Sequence, residues 1–516
     1  LESLDNLQVN NSNITTSTQT GVAGSISLNN QQQAVNSVEI SENSNVAAQA
    51  NQSGGEAGSV SINSRNLTVN QGSAISASNI SGTRGGDVNL ENIERLVVNG
   101  SEISATTVDG TAGNLQINQN QSPVDNLELN NGNITVEASG TGNSGNLTVN
   151  AKTVNLQNQA QISASTNSGM GGDINLESLD NLQVNNSNIS ASTETGRAGN
   201  LTIKATESVK LNDTGSLSVE AIADGTAGNL TLETGQINII DGGRVSVSSP
   251  QGQAGNITIY ANTLSLNEGF ITAETGKSQG EEGANISLKV FDLLRIENES
   301  LISATANGVA DGGNIEIETP FLVVFPPTGP DGSDIIAKAE QGSGGRIAIN
   351  AQGIFGIRER KATPGNRSND LDASSESGSS GQIILNRELD PNRGLVEFPQ
   401  TVVDPDSLIA QNACTRGSNS EFVITGRGGL PPSINEDLTS ETTQIDLVEP
   451  VPMMVSESNN IEIGQPKNLE SSSSEQKSIV PAQGWVFNEK GEIVLVAYDP
   501  TMTTAPRLPK MSDECP

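Results

Sequence analysis

The chain has 516 residues, a formal charge of −34, no histidine and only 2% aromatic side chains. Phosphate binding needs concentrated Lys and Arg, so the charge argues against nucleic acid as a partner and an anionic membrane surface is disfavoured for the same reason; without histidine, Ser-His and Cys-His chemistry is excluded outright. With 33% apolar residues, the chain is either largely disordered or places a few apolar residues very regularly.

Regularity decides. The opening stretch, LESLDNLQVNNSNI, returns letter for letter at residues 176–189. A shorter signature runs through the chain: a small residue, Gly, Asn, then alternating apolar residues. It reads AGNLQI at Ala112, SGNLTV at Ser144, GGDINL at Gly171, AGNLTI at Ala198, AGNLTL at Ala227 and AGNITI at Ala254. GANISL, GGNIEI, GGRIAI and SGQIIL continue it from Gly283 to Ser380, and Gly24, Gly58 and Gly86 hold the same place upstream. These thirteen copies lie mostly 27 to 34 residues apart.

Each copy predicts three short strands. The first follows the glycine, as in Leu201-Thr202-Ile203, and the second comes several residues later, as in Val209-Lys210-Leu211. The third is ISAS or close to it, as at Ile75, Ile103, Ile162, Ile189 and Ile302. Apolar residues at i and i+2 with polar residues between them describe a strand buried on one face. Gly, Asn, Asp and Ser in between supply turns. No helical spacing occurs, so the expected fold is all-β: a parallel β-helix of three strands per coil and about thirteen coils over residues 1–389. Stacked at about 4.8 Å, these coils would reach on the order of 60 Å. One coil cannot bury its own apolar face; neighbours bury one another's. Whole coils can therefore be copied without loss of fold, and such copying is expected of a scaffold rather than of a unique catalytic site.

The Asn after the glycine recurs at Asn114, Asn146, Asn200, Asn229, Asn256, Asn285 and Asn314. The expectation is a turn, with Gly at positive φ and Asn tolerating the left-handed region, together with an interior ladder of stacked amides. Asn-x-Ser/Thr triplets such as Asn146-Leu147-Thr148 follow from the turn Asn and an outward Thr, not from glycosylation. GGD and DGG triplets are turn glycines: the calcium nonapeptide and the EF-hand loop are both absent.

Carbohydrate enzymes also use β-helices, and they need two carboxylates at a fixed separation. No residue set interrupts the repeat in one place, and residues 1–259 contain no Phe, Tyr or Trp to stack on a sugar. The chain reads as a non-enzyme with no catalytic, cofactor-binding or metal-binding residues and no cofactor. Phe270 and Tyr260, with Glu268 and Glu274 nearby, are the one place where a carbohydrate site would be sought. A cluster of Asp with Arg or Lys and an aromatic, on one outward face over adjacent coils, would favour that alternative.

Composition shifts at Pro320, from which 18 of the 20 prolines follow. RERKATPGNRSNDLDASSESGSSG reads as a polar loop inserted into the last coil. Residues 390–438 are expected to cap the solenoid end, residues 439–478 to form a disordered linker rich in Ser, Glu, Gln and Pro, and residues 479–516 to hold a short β-hairpin turning at Glu489-Lys490-Gly491. The two cysteines, Cys414 and Cys515, do not make a disulfide framework. No stretch approaches the roughly 20 apolar residues of a membrane-spanning helix. Because the chain opens inside a motif that recurs internally, it reads as the C-terminal part of something longer.

The coils AGNLTI…SVKLNDTGSLSVEA and GGDINLESLDNLQVNNSNISAST, followed by DPDSLIAQNAC and SEFVITGRGGLPPS, resemble the C-terminal part of the large cyanobacterial exoproteins of filamentous-haemagglutinin type. The resemblance spans essentially the whole chain, and ITGRGGLPPS is its most specific block. It implies a right-handed β-helix, secretion by the two-partner route through a separate outer-membrane transporter recognised by an N-terminal domain, and an extracellular or cell-surface location on a Gram-negative-type bacterium. It also implies a role in adhesion or surface structure, with a cell-surface or glycan receptor as partner. It brings no catalytic residues.

Overall fold

The computed structural model describes residues 5–29, 33–52, 54–80, 83–276 and 283–389, together with the strands Gly484–Phe487 and Ile493–Val496. Among the described residues there is no helix. In the unit that contains the repeats, parallel strands stack as a β-solenoid of about 12 turns. The thirteen signature copies bound these turns, since a turn runs from one copy to the next.

Two sheets carry the stack. The wider has 17 strands and the narrower 14. The first two strand segments of each repeat both belong to the wide sheet. From residue 147 onward they run together as single strands such as Leu147–Gln157 and Leu201–Asn212. Register shifts mark the bend between them, as between Lys204 and Ser208. The third segment builds the narrow sheet, in strands such as Gln161–Thr166 and Ser216–Ala221. The three expected segments are therefore present, with two of them fused.

The expected columns form. Leu147, Ile174, Leu201, Leu230, Ile257, Ile286 and Ile315 pair rung to rung, and each is at most 1% exposed. Val149, Leu176, Ile203, Leu232, Ile259, Leu288 and Ile317 make the adjacent column. Alternating burial follows directly: Ile203 is fully buried while Thr202 is half-buried and faces outward. Opposite them the narrow sheet offers Ile then Ala, as at Ile162 and Ala164 or Ile302 and Ala304, all fully buried. The small residue leaves room for the Leu and Ile side chains of the wide sheet, as close packing requires.

Two expectations about the Gly-Asn corner are corrected. The corner glycines do not adopt positive φ. A side chain is kept out by close approach instead: a Cβ on Gly199 would meet the Gly172 carbonyl oxygen at 2.0 Å. Ala284 holds that place in one copy and is buried there. Positive φ falls at the next corner, between the second and third segments, on Asn131, Asn158, Asn186, Asp213 and Asp241. Asn and Asp tolerate that region best among residues with side chains.

The amide ladder exists, but on the surface. The Asn146 N–H donates to Asn114 Oδ1 at 2.9 Å, and the Asn229, Asn256 and Asn285 N–H groups each donate to the preceding Asn at 2.9 Å. Asp173 takes a turn in the same chain, accepting from Asn200 N–H at 2.7 Å. The side chains sit at an exposed or half-buried corner where no alternation applies. The buried polar ladder is made of serine. Ser44 and Ser73 N–H donate to Ser73 and Ser101 Oγ at 3.1 and 3.2 Å, Ala160 N–H donates to Ser187 Oγ at 3.1 Å, and Ser300 N–H to Ser333 Oγ at 3.2 Å. These hydroxyls satisfy backbone donors at a dry corner, where an unpaired N–H is costly.

The segment expected as a polar inserted loop is folded. Arg358–Glu359 pairs in parallel with Asp370–Asp372, which pairs with Asp334–Ile336, so the narrow sheet ends on a two-residue strand. A very short edge strand is a common way to blunt an edge. In the second unit, Gly484–Phe487 and Ile493–Val496 pair antiparallel as expected of a hairpin. Residues 390–483, which include the expected cap and linker, lie outside the described residues, as do both cysteines and the hairpin turn.

Candidate functional site

Side chains on the outer face of the narrow sheet are mostly small and polar. One column runs Ser163, Ser190, Ser218, Ser246, Thr272 and Ser303 through successive rungs, its serines packed so closely that they are nearly closed off from solvent, while the column two residues on, Ser165, Ser192, Glu220, Ser248, Glu274 and Thr305, is half-buried. The pattern breaks where the coils lengthen after Pro320. Turn residues 325–333 and the strap 360–368 rise beside the last rungs, and between them lies a groove of about 520 Å³. Its floor is Phe270, Leu301, Asp334, Ile336 and Lys338; Glu268, Glu299 and Asp331 come from the turns, and Thr363 and Pro364 from the strap.

The strap is clasped by charge. Asp370 is fully buried and receives Arg360 Nε at 2.7 Å, Asn366 Nδ2 at 2.6 Å and the Ser368 hydroxyl. Asp372, 3% exposed, receives Lys338 Nζ at 2.9 Å, the Ala362 N–H at 2.8 Å and the Ser374 N–H at 2.9 Å. Lys338 also donates to the Ala362 carbonyl at 2.9 Å. Gly365 N–H donates to Asp331 Oδ1. Buried charges of this kind hold only when paired and hydrogen-bonded, and both are.

Asp334 is different. Its Oδ1 accepts the Asp370 N–H at 2.9 Å, and its carboxyl faces the groove. Burial pushes it up to about 6; the Asp370 and Asp331 carboxylates add to this, and the Asp370 N–H and Lys338 oppose it. Burial also works against ionisation of Asp372, but Lys338, Ser374 and the Ala362 N–H together hold that carboxyl below the ordinary range. The groove therefore has one carboxyl poised to titrate beside others engaged in the clasp.

Of the four residues singled out from sequence, Phe270 and Glu268 line the groove together. Tyr260 stands on the wide sheet, 41% exposed and in register with Lys289, so it is not part of this site. Glu274 accepts the Asn307 side-chain amide at 2.6 Å outside the groove lining. Leu301, Asp331, Asp334, Ile336 and Lys338 were missed. Their signal was present: at Leu301 and Ile336 an apolar residue stands where earlier rungs carry a polar one. A larger cavity of about 710 Å³ opens on the wide sheet beside Phe291, Asn350 and Asn386; of the two carboxylates in its lining, Glu318 and Glu388, the first is paired with Lys289 at 3.3 Å. Among the described residues no group of His, Cys, Asp or Glu is placed to hold a metal ion.

The chain matches no family profile, no curated protein sequence and no solved structure.

Proposed function

We propose that this chain is the β-helical part of a secreted, non-enzymatic exoprotein of filamentous-haemagglutinin type, presenting an extended surface for adhesion or cell-surface structure. The observation that carries the reading is the outer face itself. It repeats rung after rung in one register, with the half-buried polar column Ser165, Ser192, Glu220, Ser248, Glu274 and Thr305 on the narrow sheet and Asn or Asp along the corner. Such a face offers the same chemistry many times along its length, which suits multivalent or structural contact better than a single reaction. In this reading the chain reaches the surface through a two-partner outer-membrane transporter that acts on an upstream domain, and its partner is a glycan or another surface component.

A second reading, a β-helical carbohydrate-binding or carbohydrate-active protein, has one specific observation in its favour. Asp331, Asp334, Lys338 and Phe270 line one groove, and the buried Asp370 and Asp372 adjoin it, held by Arg360 and Lys338. Most of these charges are already engaged in the strap clasp, which is a structural use of them.

The two readings separate in one experiment. The purified chain is exposed to a panel of glycans and bacterial surface polysaccharides, with and without calcium, and every bound polymer is checked for cleavage. Binding without cleavage is expected. Release of shortened products would overturn the non-enzymatic reading in favour of the second.

A further inference from the structure

The floor of the narrow-sheet groove departs from the repeat in one direction. Along the column through Phe270, earlier rungs carry Asn133, Gln161, Asn188, Ser216 and Arg244. The column turns apolar at Phe270 and Leu301. The next column is serine or threonine from Ser163 to Ser303 and becomes Ile336 at the groove. All three side chains point outward, away from the solenoid core, so packing of the coils does not require them to be apolar.

The charged part of the lining has the opposite character. Glu268, Glu299 and Asp331 on the turns and Asp334 on the floor are acceptors, and the Lys338 ammonium is already taken by Asp372 and the Ala362 carbonyl. Carboxylates accept hydrogen bonds and do not donate, so a ligand suited to these groups must bring donors and positive charge. A neutral sugar would find few donors to meet its hydroxyl oxygens. The volume, about 520 Å³, falls in the range of roughly 300–1,000 Å³ typical of organic ligands. Outside the groove lining, the chain's own Arg244 guanidinium lies 5.3 Å from the Phe270 ring centroid, so this ring already meets one planar cation.

We infer that this groove binds an organic cation on a short apolar stem, a guanidinium or alkylammonium group. The stem lies on Phe270, Leu301 and Ile336, and the charge lies among the carboxylates of Glu268, Glu299, Asp331 and Asp334. A free amine and the Arg or Lys side chain of a basic peptide share this chemistry. The inference stands apart from the adhesin reading and survives if that reading fails.

The test is a calorimetric titration of the full chain with agmatine and, separately, with the blocked peptide acetyl-Gly-Arg-Gly-amide, at about 0.15 M salt so that diffuse attraction to an acidic protein is screened. The comparison protein is the double variant Phe270→Ser, Ile336→Ser. It restores residue types that other rungs carry, keeps every carboxylate and leaves net charge unchanged; an unchanged melting temperature verifies its fold. Saturable binding of at least one probe, weakened about threefold or more in the double variant, is expected. Agmatine alone would identify a free amine as the source, and the peptide a basic partner. No saturable binding of either probe, or equal binding by the double variant, would overturn the inference. So would binding of the neutral tetrasaccharide cellotetraose in their place.

Discussion

The same ten residues, from Asp5 to Ile14 and again from Asp180 to Ile189, occupy two different environments in this molecule. In the first copy Leu7 and Ile14 are only partly buried and Ser12 is exposed; in the second Leu182 and Ile189 are at most 1% exposed and Ser187 is 6% exposed. The strand Asn6–Asn10 has one described neighbour, whereas the corresponding part of Ile174–Asn185 pairs on both sides. Yet the corner residues agree: Asn11 and Asn186 both have φ of 43°. Backbone shape is thus set within the segment, and burial is set by the coils above and below. Local choices and global packing point to one answer, the consistency that makes a repeat foldable.

The comparison is broken most strongly by a charge in the core. Val184→Asp buries an unpaired carboxylate between two coils and should cost about 3–5 kcal/mol. Val9→Asp makes the same change where, among the described residues, only Ile40 pairs with it, and should cost roughly half as much. Chemical denaturation of the two variants checks this; equal costs would mean that the first coil is as enclosed as the interior ones.

A turn substitution should erase the difference between the copies. Asn11→Ala and Asn186→Ala each force a less tolerant residue into the left-handed region, and each should cost about 1 kcal/mol. Both side chains are exposed, so burial does not enter. Denaturation midpoints that shift for Asn186→Ala and not for Asn11→Ala would show that the corner depends on its neighbours after all.

How much of this was legible beforehand follows the same division. The core columns, from Leu147 to Ile315 and from Val149 to Ile317, could be read residue by residue because alternation reports burial directly. The corners could not. Asn114 and its successors were expected inside, but a residue between two strand segments carries no alternation to say which way it points. The serine ladder was readable in principle, since Ser73, Ser101, Ser187, Ser300 and Ser333 all stand two residues before the third-segment Ile. The groove was legible only at Phe270 and Glu268. Its other members come from the strap and from rungs whose register is fixed by pairing, and a loop of irregular sequence does not announce where it folds back.

The irregular end also responds to pH in a way the regular coils do not. The folded Asp334 carboxyl, at about 6, lies above its ordinary value of 3.8. Between those values the folded state binds a proton that the unfolded chain does not, so stability rises as pH falls from 7 toward 4. Asp372 has the opposite sign. Its folded value lies below 3.8, so its contribution is present above that pH and is lost as pH drops further. Many other carboxylates relax their mutual repulsion over the same range, which makes the wild-type curve alone uninformative. The difference between wild type and Asp334→Asn isolates the one group, because Asn keeps an oxygen to accept the Asp370 N–H. The variant should melt above wild type at pH 7, with the gap closing by about pH 4. A gap that stays constant across that window would mean that Asp334 is no harder to ionise in the folded protein than in the unfolded chain.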